Sequence, residues 1–340
     1  MRICICGGGS LGHVCAAVFS SSLDVKVNMY TKHPEAWNKT IRVEDLQNHV
    51  FNGRLDVVTS NPQEAIDLCD IVLLCLPGFL IEKTMEEIKP YVKGKPVGSI
   101  VSSTGFFFDA HKVLGKDAKL FGFQRVPYIA RVKKYGESAD LLGYKERISV
   151  AVENVDDVEA FRKQLESLFR TPTDLLVSFY EAALTNSNPI LHTSRLYSMF
   201  KGKEESVFDH NIFFYKEWSE ESSQLLIEMD KEFFALLDKL GVNNGRIMPL
   251  LDYYESSDAL SLTKKIRSIE AFQNIMSPMK EIGGGWQIDC GSRYFTEDFP
   301  YGLRYIYELA VKNNVSVPNI SKVYSWGVNL LYKTENVDLQ

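Results

Sequence analysis

Near the start of this 340-residue chain, Gly7-x-Gly9-x-x-Gly12 has the spacing of a turn that leaves a strand, lays its backbone against a pyrophosphate and opens a closely packed helix. In that reading Gly7, Gly9, Ser10, Leu11 and Gly12 form a dinucleotide-binding turn, with the anion on the amides of the helix N-terminus. An NAD site usually carries Asp or Glu at the end of the second strand, to bond the ribose 2′-hydroxyl. Here that strand ends Met29-Tyr30-Thr31-Lys32-His33, without a carboxylate. Thr31 and Lys32 suit a 2′-phosphate instead, which tilts the expectation toward NADP over NAD, although Lys32 can equally be a solvated loop lysine. Pro77, at the end of an apolar run, is counted with the cofactor-binding residues.

Two further stretches carry proton and carboxylate chemistry. If residues 181–200 are helical on either side of a kink at Pro189, then Thr185, Asn188, His192 and Arg195 share one face. A proline inside a helix costs about 3 kcal/mol, so such a distortion suggests a use. Imidazole is suited to giving and taking protons near neutral pH, which makes His192 the candidate acid/base group. In residues 291–310, Arg293, Glu297 and Asp298 precede a Pro300-Tyr301-Gly302 turn and a helix. Asp298 could there orient a histidine or cap the helix, and the local sequence leaves both open.

The elements that must position these groups alternate. Residues 2–6, 24–30, 69–76, 97–102 and 148–152 read as strands, and residues 13–19, 84–91 and 155–169 as helices. The continuous apolar run at 69–76 is that of a strand buried on both faces. This pattern specifies an α/β fold with an N-terminal Rossmann-like, doubly wound parallel sheet. Beyond about residue 171 strands become scarce. We therefore expect a dinucleotide-binding domain over 1–175 and an all-helical substrate domain over 176–340. Its clearest helix is 220–240, stopped by Gly241. Gly283-Gly284-Gly285 lacks the ending of a phosphate-binding loop and reads as a turn.

Composition narrows the function. A net charge of −6 argues against binding nucleic acid through its phosphates. No apolar stretch approaches the roughly 20 residues that span a bilayer, and the first residues do not read as a signal peptide. The expected location is the cytoplasm. The six cysteines form no C-x-x-C pair and no cluster with histidine, so no metal site is expected and the thiols are read as reduced.

Gly7-x-Gly9-x-x-Gly12, Pro127-Tyr128-Ile129-Ala130-Arg131, Asn188-Pro189-Ile190-Leu191-His192 and the segment from Arg293 to Leu303, in this order, resemble the opine dehydrogenase family of the NAD/NADP octopine/nopaline dehydrogenase type. The resemblance runs across most of the chain. It implies that His192 and Asp298 form an acid/base dyad and that Arg293 binds a keto-acid carboxylate, with Asn188 and Arg131 also placed at the substrate. It departs from the family at Tyr128, where Trp is frequent, and at Thr193, where Pro is frequent; both bear on the substrate rather than the reaction. The implied reaction condenses an amino acid with a small α-keto acid and reduces the imine with NAD(P)H. Two rivals are a keto-acid or 2-hydroxy-acid dehydrogenase of similar architecture and a non-catalytic NAD(P)-binding sensor. Partners would be small-molecule substrates, with no nucleic acid and no membrane, and a homodimer is one assembly open to such a chain.

Overall fold

The computed structural model describes residues 1–103 and 105–337. Two compact units, Met1–Thr185 and Asn186–Gln340, divide the chain. The first is built on one sheet of eleven strands: β1 (Arg2–Cys6), β2 (Lys26–Tyr30), β3 (Thr40–Asp45), β4 (Val50–Thr59), β5 (Ile71–Leu74), β6 (Val97–Ser99), β7 (Leu120–Phe123), β8 (Tyr128–Lys134), β9 (Ser138–Tyr144), β10 (Ile148–Glu153) and β11 (Thr173–Leu175). They lie in the order β11-β10-β7-β6-β5-β1-β2-β4-β3-β9-β8. The centre is parallel, β1 pairing with both β2 and β5, β5 with β6 and β6 with β7. Antiparallel pairs β10–β7, β3–β4 and β8–β9 make the whole sheet mixed.

Side chains on β1 alternate between two buried layers, as a period of two requires. Ile3 and Ile5 join Val14, Phe19 and Phe169 on one face, while Cys4 and Cys6 join Val72, Leu74 and Phe106 on the other. A strand covered on both faces needs no polar alternation, which is why the parallel centre was legible as apolar runs. The extension β3, β4, β8 and β9 was not. Its strands alternate buried and exposed residues and carry sequences as polar as TIRVED and YIARVKK.

Helix Gly78–Ile88 starts six residues before its expected position because Pro77, in extended conformation, serves as its N-cap. The first unit also runs past residue 175, since the short helix Phe179–Ala183 packs on β10.

Among its described residues the second unit has helices and one hairpin, β12 (Met279–Ile282) with β13 (Gly285–Ile288), whose turn contains Gly283 and Gly284. Helix Glu220–Leu240 has the expected bounds; Ser219 caps its start and Gly241, at φ 72°, ends it in the left-handed region. It packs against helix Asn188–Phe200, and helix Pro318–Val337 packs against both.

Candidate active site and dinucleotide turn

Helix Asn188–Phe200 begins one residue before Pro189, so the proline sits in the first turn, where its missing N–H removes no helical bond. The expected kink is absent. Thr185 consequently lies outside the helix, and the expected row of four polar residues on one face is broken: Asn188 is exposed at the helix start, whereas His192 and Arg195 are buried.

His192 meets Asp298 across 106 positions of sequence. Nδ1 of the ring lies 2.8 Å from Oδ2 of Asp298, and both side chains are largely buried. Asp298 stands immediately before a π-helical turn, Phe299–Leu303, and its carboxylate makes no capping bond. Of the two contacts open to it, the one made is to the histidine, not to the helix start. Such turns are uncommon and recur at functional sites.

Close packing explains why the two motifs carry the residues they do. A Cβ on Gly302 would lie 2.8 Å from Cβ of Pro189 and nearer still to its Cγ. The ring of Pro189, three residues before His192, therefore sits against Gly302, four residues beyond Asp298, docking one motif on the other. Thr193, one of the departures from the family pattern, turns its hydroxyl to the Pro189 carbonyl.

The remaining faces of His192 are aromatic. Tyr294 and Phe214 lie at ring-centroid distances of 4.7 and 5.6 Å, and the Tyr215 hydroxyl stands 2.9 Å from Nε2. Both ring nitrogens are thus occupied. An ionised carboxylate only accepts, so Nδ1 carries the hydrogen toward Asp298 and the Tyr215 hydroxyl donates to the Nε2 lone pair. Arg195 takes no part in the pair. Its guanidinium donates to the carbonyls of Phe214 and Glu217 at 3.1 and 2.7 Å and to the Ser222 hydroxyl at 3.1 Å, tying down the segment that carries Tyr215. Burial brings its pKa down to about 10, so it remains a cation. Arg293 is exposed and gripped by Glu297 through two bonds of 2.9 and 2.8 Å. That pairing raises its pKa further.

In the first unit, the glycine turn has the form its spacing requires. Gly7 has φ 114°, and a Cβ there would lie 2.5 Å from the Cys75 carbonyl oxygen; one on Gly12 would strike the Gly7 carbonyl. By contrast, nothing lies within 4 Å of a Cβ built on Gly9. Gly9 is the N-cap of helix Ser10–Ser20, which has no side-chain cap and no acidic residue in its first turn. A helix start without a side-chain cap, beside a glycine whose Cβ position is open, is what a pyrophosphate needs, so the turn fits a dinucleotide. Beside it is a cavity of about 330 Å³ lined by Gly7, Gly8, Thr31, Lys32, Glu87 and Tyr135.

A hairpin covers this turn. Ser10 Oγ accepts from the Val132 amide at 3.2 Å, and His13 Nε2 accepts from the Gly136 amide at 2.7 Å. Burial lowers the pKa of His13, in keeping with that acceptor role. Leu11 is partly buried in the same helix, and Pro77 caps the next helix along the cavity wall. Thr31 is buried, its hydroxyl accepting from the His33 amide at 3.3 Å. Lys32 donates to Glu87 at 2.7 Å and to the Tyr30 hydroxyl at 2.9 Å, and Tyr30 also donates to Glu87 at 2.6 Å. A carboxylate therefore does stand at the end of the second strand, supplied by helix Gly78–Ile88 rather than by the strand. Arg131 is exposed on β8, and Tyr128, the other departure from the family pattern, is a core residue bonded to the Phe169 carbonyl.

Sequence reasoning missed Glu87 and Tyr215. Glu87 lies 55 positions from Lys32 with no motif around it, and Tyr215 is one ring of an aromatic run, Phe213-Phe214-Tyr215 to Trp218, that reads as core.

Residues 176–331 match the family described as NAD/NADP octopine/nopaline dehydrogenase, alpha-helical domain. Over nearly its whole length the chain is similar to curated relatives. It is 25% identical to an octopine dehydrogenase from Mizuhopecten yessoensis, covering 99% of this chain and 92% of the relative. It is 26% identical to a tauropine dehydrogenase from Arabella iricolor, covering 97% and 91%. Among solved structures, an octopine dehydrogenase with NADH and L-arginine superposes with a TM-score of 0.84 at 22% identity, over 97% of this chain and 89% of that one, which shows the shared fold. The family resemblance drawn from the motifs is borne out.

Proposed function

We propose that this chain, an NAD(P)-dependent oxidoreductase of the opine dehydrogenase type, joins the amino group of an amino acid to the carbonyl of a small α-keto acid and reduces the resulting imine. The observation that carries the reading is the 2.8 Å contact between His192 and Asp298, made by the two motifs most specific to the family. Condensation of an amine with a ketone first gives a carbinolamine, which must gain a proton on oxygen to lose water. His192 exchanges that proton, and Asp298 holds its ring in one tautomer. The nicotinamide, when bound, supplies the hydride. Gly7, Gly9, Ser10, Leu11 and Gly12 hold its pyrophosphate, with Thr31 and Lys32 at the neighbouring cavity and Pro77 capping the helix that carries Glu87.

Arg293 is the proposed clamp for the keto-acid carboxylate. Its bonds to Glu297 engage Nε and one N–H of Nη2, and a guanidinium has five N–H donors. The Nη1 end remains to grip a carboxylate through two parallel bonds. Asn188 and Arg131, both exposed, are proposed to contact the substrates. We place the enzyme in a reducing compartment, the cytoplasm, on the strength of its cysteines, five of the six being buried thiols. No helix among the described residues is long and apolar enough to cross a membrane.

The test is turnover of α-keto acids with and without amino acids, using both nicotinamides. Oxidation of NAD(P)H that requires both keto acid and amine supports the proposal. Equal turnover without amine would make the chain a simple keto-acid reductase, and cofactor binding without turnover of any pair would make it a sensor.

A further inference from the structure

The Tyr215 hydroxyl occupies the one nitrogen of His192 that Asp298 leaves open. Its side chain is built to stay there. The ring is buried, stacks on Phe272 at a centroid distance of 4.3 Å, and belongs to a segment whose carbonyls at Phe214 and Glu217 are pinned by the buried Arg195 guanidinium. Leaving a cation in an apolar interior with only neutral partners is costly, and holding this segment is the structural return visible for it. The second polar neighbour of the phenol is Tyr294, whose ring also packs on His192 and which is partly exposed. A chain of four side chains, Asp298, His192, Tyr215 and Tyr294, thus runs through the site.

We infer that Tyr215 relays the proton between His192 and the reacting substrate, so that the acid/base unit is a triad rather than a dyad. The inference rests on the proposed imine-forming reaction. In the dehydration step the protonated imidazole gives its Nε2 hydrogen to the Tyr215 oxygen while the Tyr215 O–H hydrogen passes to the carbinolamine oxygen. The carbon–oxygen bond then breaks with its electron pair and water leaves, while the nitrogen lone pair closes the carbon–nitrogen double bond, so that the positive charge passes from the imidazole to the protonated imine that takes the hydride. One N–H and one O–H bond break, two O–H bonds form, and Tyr215 ends as it began. Because burial, then Tyr294, Tyr254 and Asp298, push the phenol far above the usual tyrosine range, Tyr215 does not rest as a phenolate. It can pass a proton only as it receives one.

The variant Tyr215→Phe keeps the ring and its stacking and removes the relay. In the full-length enzyme saturated with NADH, kcat for reductive condensation should fall about 10²-fold, within the range for loss of one proton-transfer group, with the dissociation constant of NADH unchanged. In mixtures of H2O and D2O the wild type should show a curved dependence of kcat, two protons moving together, and the variant a linear one. A merely structural tyrosine would not change that curvature. An unchanged kcat, or a lower KM at unchanged kcat, would overturn the inference and make the phenol a plug that substrate displaces. If the wild type turns over no pair of keto acid and amine, the proposed function fails and this inference with it. The contact alone is then read from the ¹⁵N resonance of His192 Nε2 in the free protein. A shift in Tyr215→Phe retains the hydrogen bond, and no shift removes it.

Discussion

Replacing Glu87 by Gln should tighten the binding of NADPH relative to NADH. Burial raises the Glu87 carboxyl, but Lys32 and Tyr30 outweigh it and leave the group below its ordinary range, so it is a carboxylate at neutral pH. Lys32, the residue that would attract a 2′-phosphate, is already paired with it at 2.7 Å. A phosphate of charge about −2 at roughly 5.5 Å from Glu87 would be repelled by about 1.5 kcal/mol at the dielectric of water and by about 6 kcal/mol at an effective dielectric of 20. The Lys32 side chain is 59% exposed and that of Glu87 27%, which places the effect near the lower bound, about 2 kcal/mol or roughly 30-fold in affinity. The wild type should therefore bind NADH more tightly than NADPH, and Glu87→Gln should tighten NADPH by roughly 10- to 50-fold while changing NADH by less than about threefold. Nicotinamide fluorescence titrations at one fixed salt concentration decide it. An unchanged ratio of the two dissociation constants, or a wild type that already favours NADPH, would refute the reasoning and mean that Lys32 leaves Glu87 when the cofactor binds.

Other expectations can be measured directly. His192→Ala should lower kcat by roughly 10² to 10⁴ and Asp298→Asn by less; a double variant no worse than His192→Ala is expected of groups acting as one unit, and a loss equal to the product of both would separate them. Arg293→Lys should raise the KM for keto acid without changing cofactor affinity, because an ammonium cannot reproduce the two parallel bonds; an unchanged KM would leave Arg293 only its pairing with Glu297. Gly302→Ala sets a methyl against the Pro189 ring and should cost about 1–3 kcal/mol, the range for overpacking, read as a fall in Tm. It should also lower kcat, since the same contact docks Asp298 on His192. Asp230 is buried, accepts from the Leu250 amide at 2.9 Å and has its pKa pushed up to about 6, chiefly by desolvation. A carboxyl whose folded pKa is raised destabilises the fold above that pKa, and the penalty disappears as pH falls toward the unfolded value of 3.8. Asp230→Asn should thus raise Tm at pH 8, by an amount that shrinks between about pH 6 and pH 4. A gain independent of pH would show that Asp230 is not the titrating group.

The parallel centre of the sheet and the long helices were legible because their signals are local: apolar runs for strands buried on both faces, and a three-to-four-residue period ended by Gly241. The polar hairpin strands β8 and β9 were not, because what keeps them in place is pairing with β3 and packing on the first helix, both distant in sequence. At the site, the sequence singled out His192 and Asp298, but only the fold shows the two side chains in contact and Asp298 making no capping bond. Pro189 was misread in the opposite sense. A proline in a helical pattern suggests a kink when the helix start is unknown, and four missing residues of helix turned a strained interior position into a favourable first turn. Glu87 shows the limit of a motif defined along one strand, since a carboxylate can reach the same point from a neighbouring helix.

The hairpin over the glycine turn has a consequence for how the chain folds. Ser10 and His13 take their hydrogen bonds from amides 122 and 123 positions downstream. On the ribosome the first helix therefore emerges long before the residues that seal it, and strands β1 and β2 must wait with their phosphate-facing turn uncovered. Closing contacts of such separation is entropically expensive and slow. A nascent chain ending before residue 128 has the whole glycine motif and none of its cover. Nucleotide binding should consequently appear late in synthesis, in a step with the ordering of β8 and β9, and the dinucleotide itself, by bridging the turn, would favour that closure.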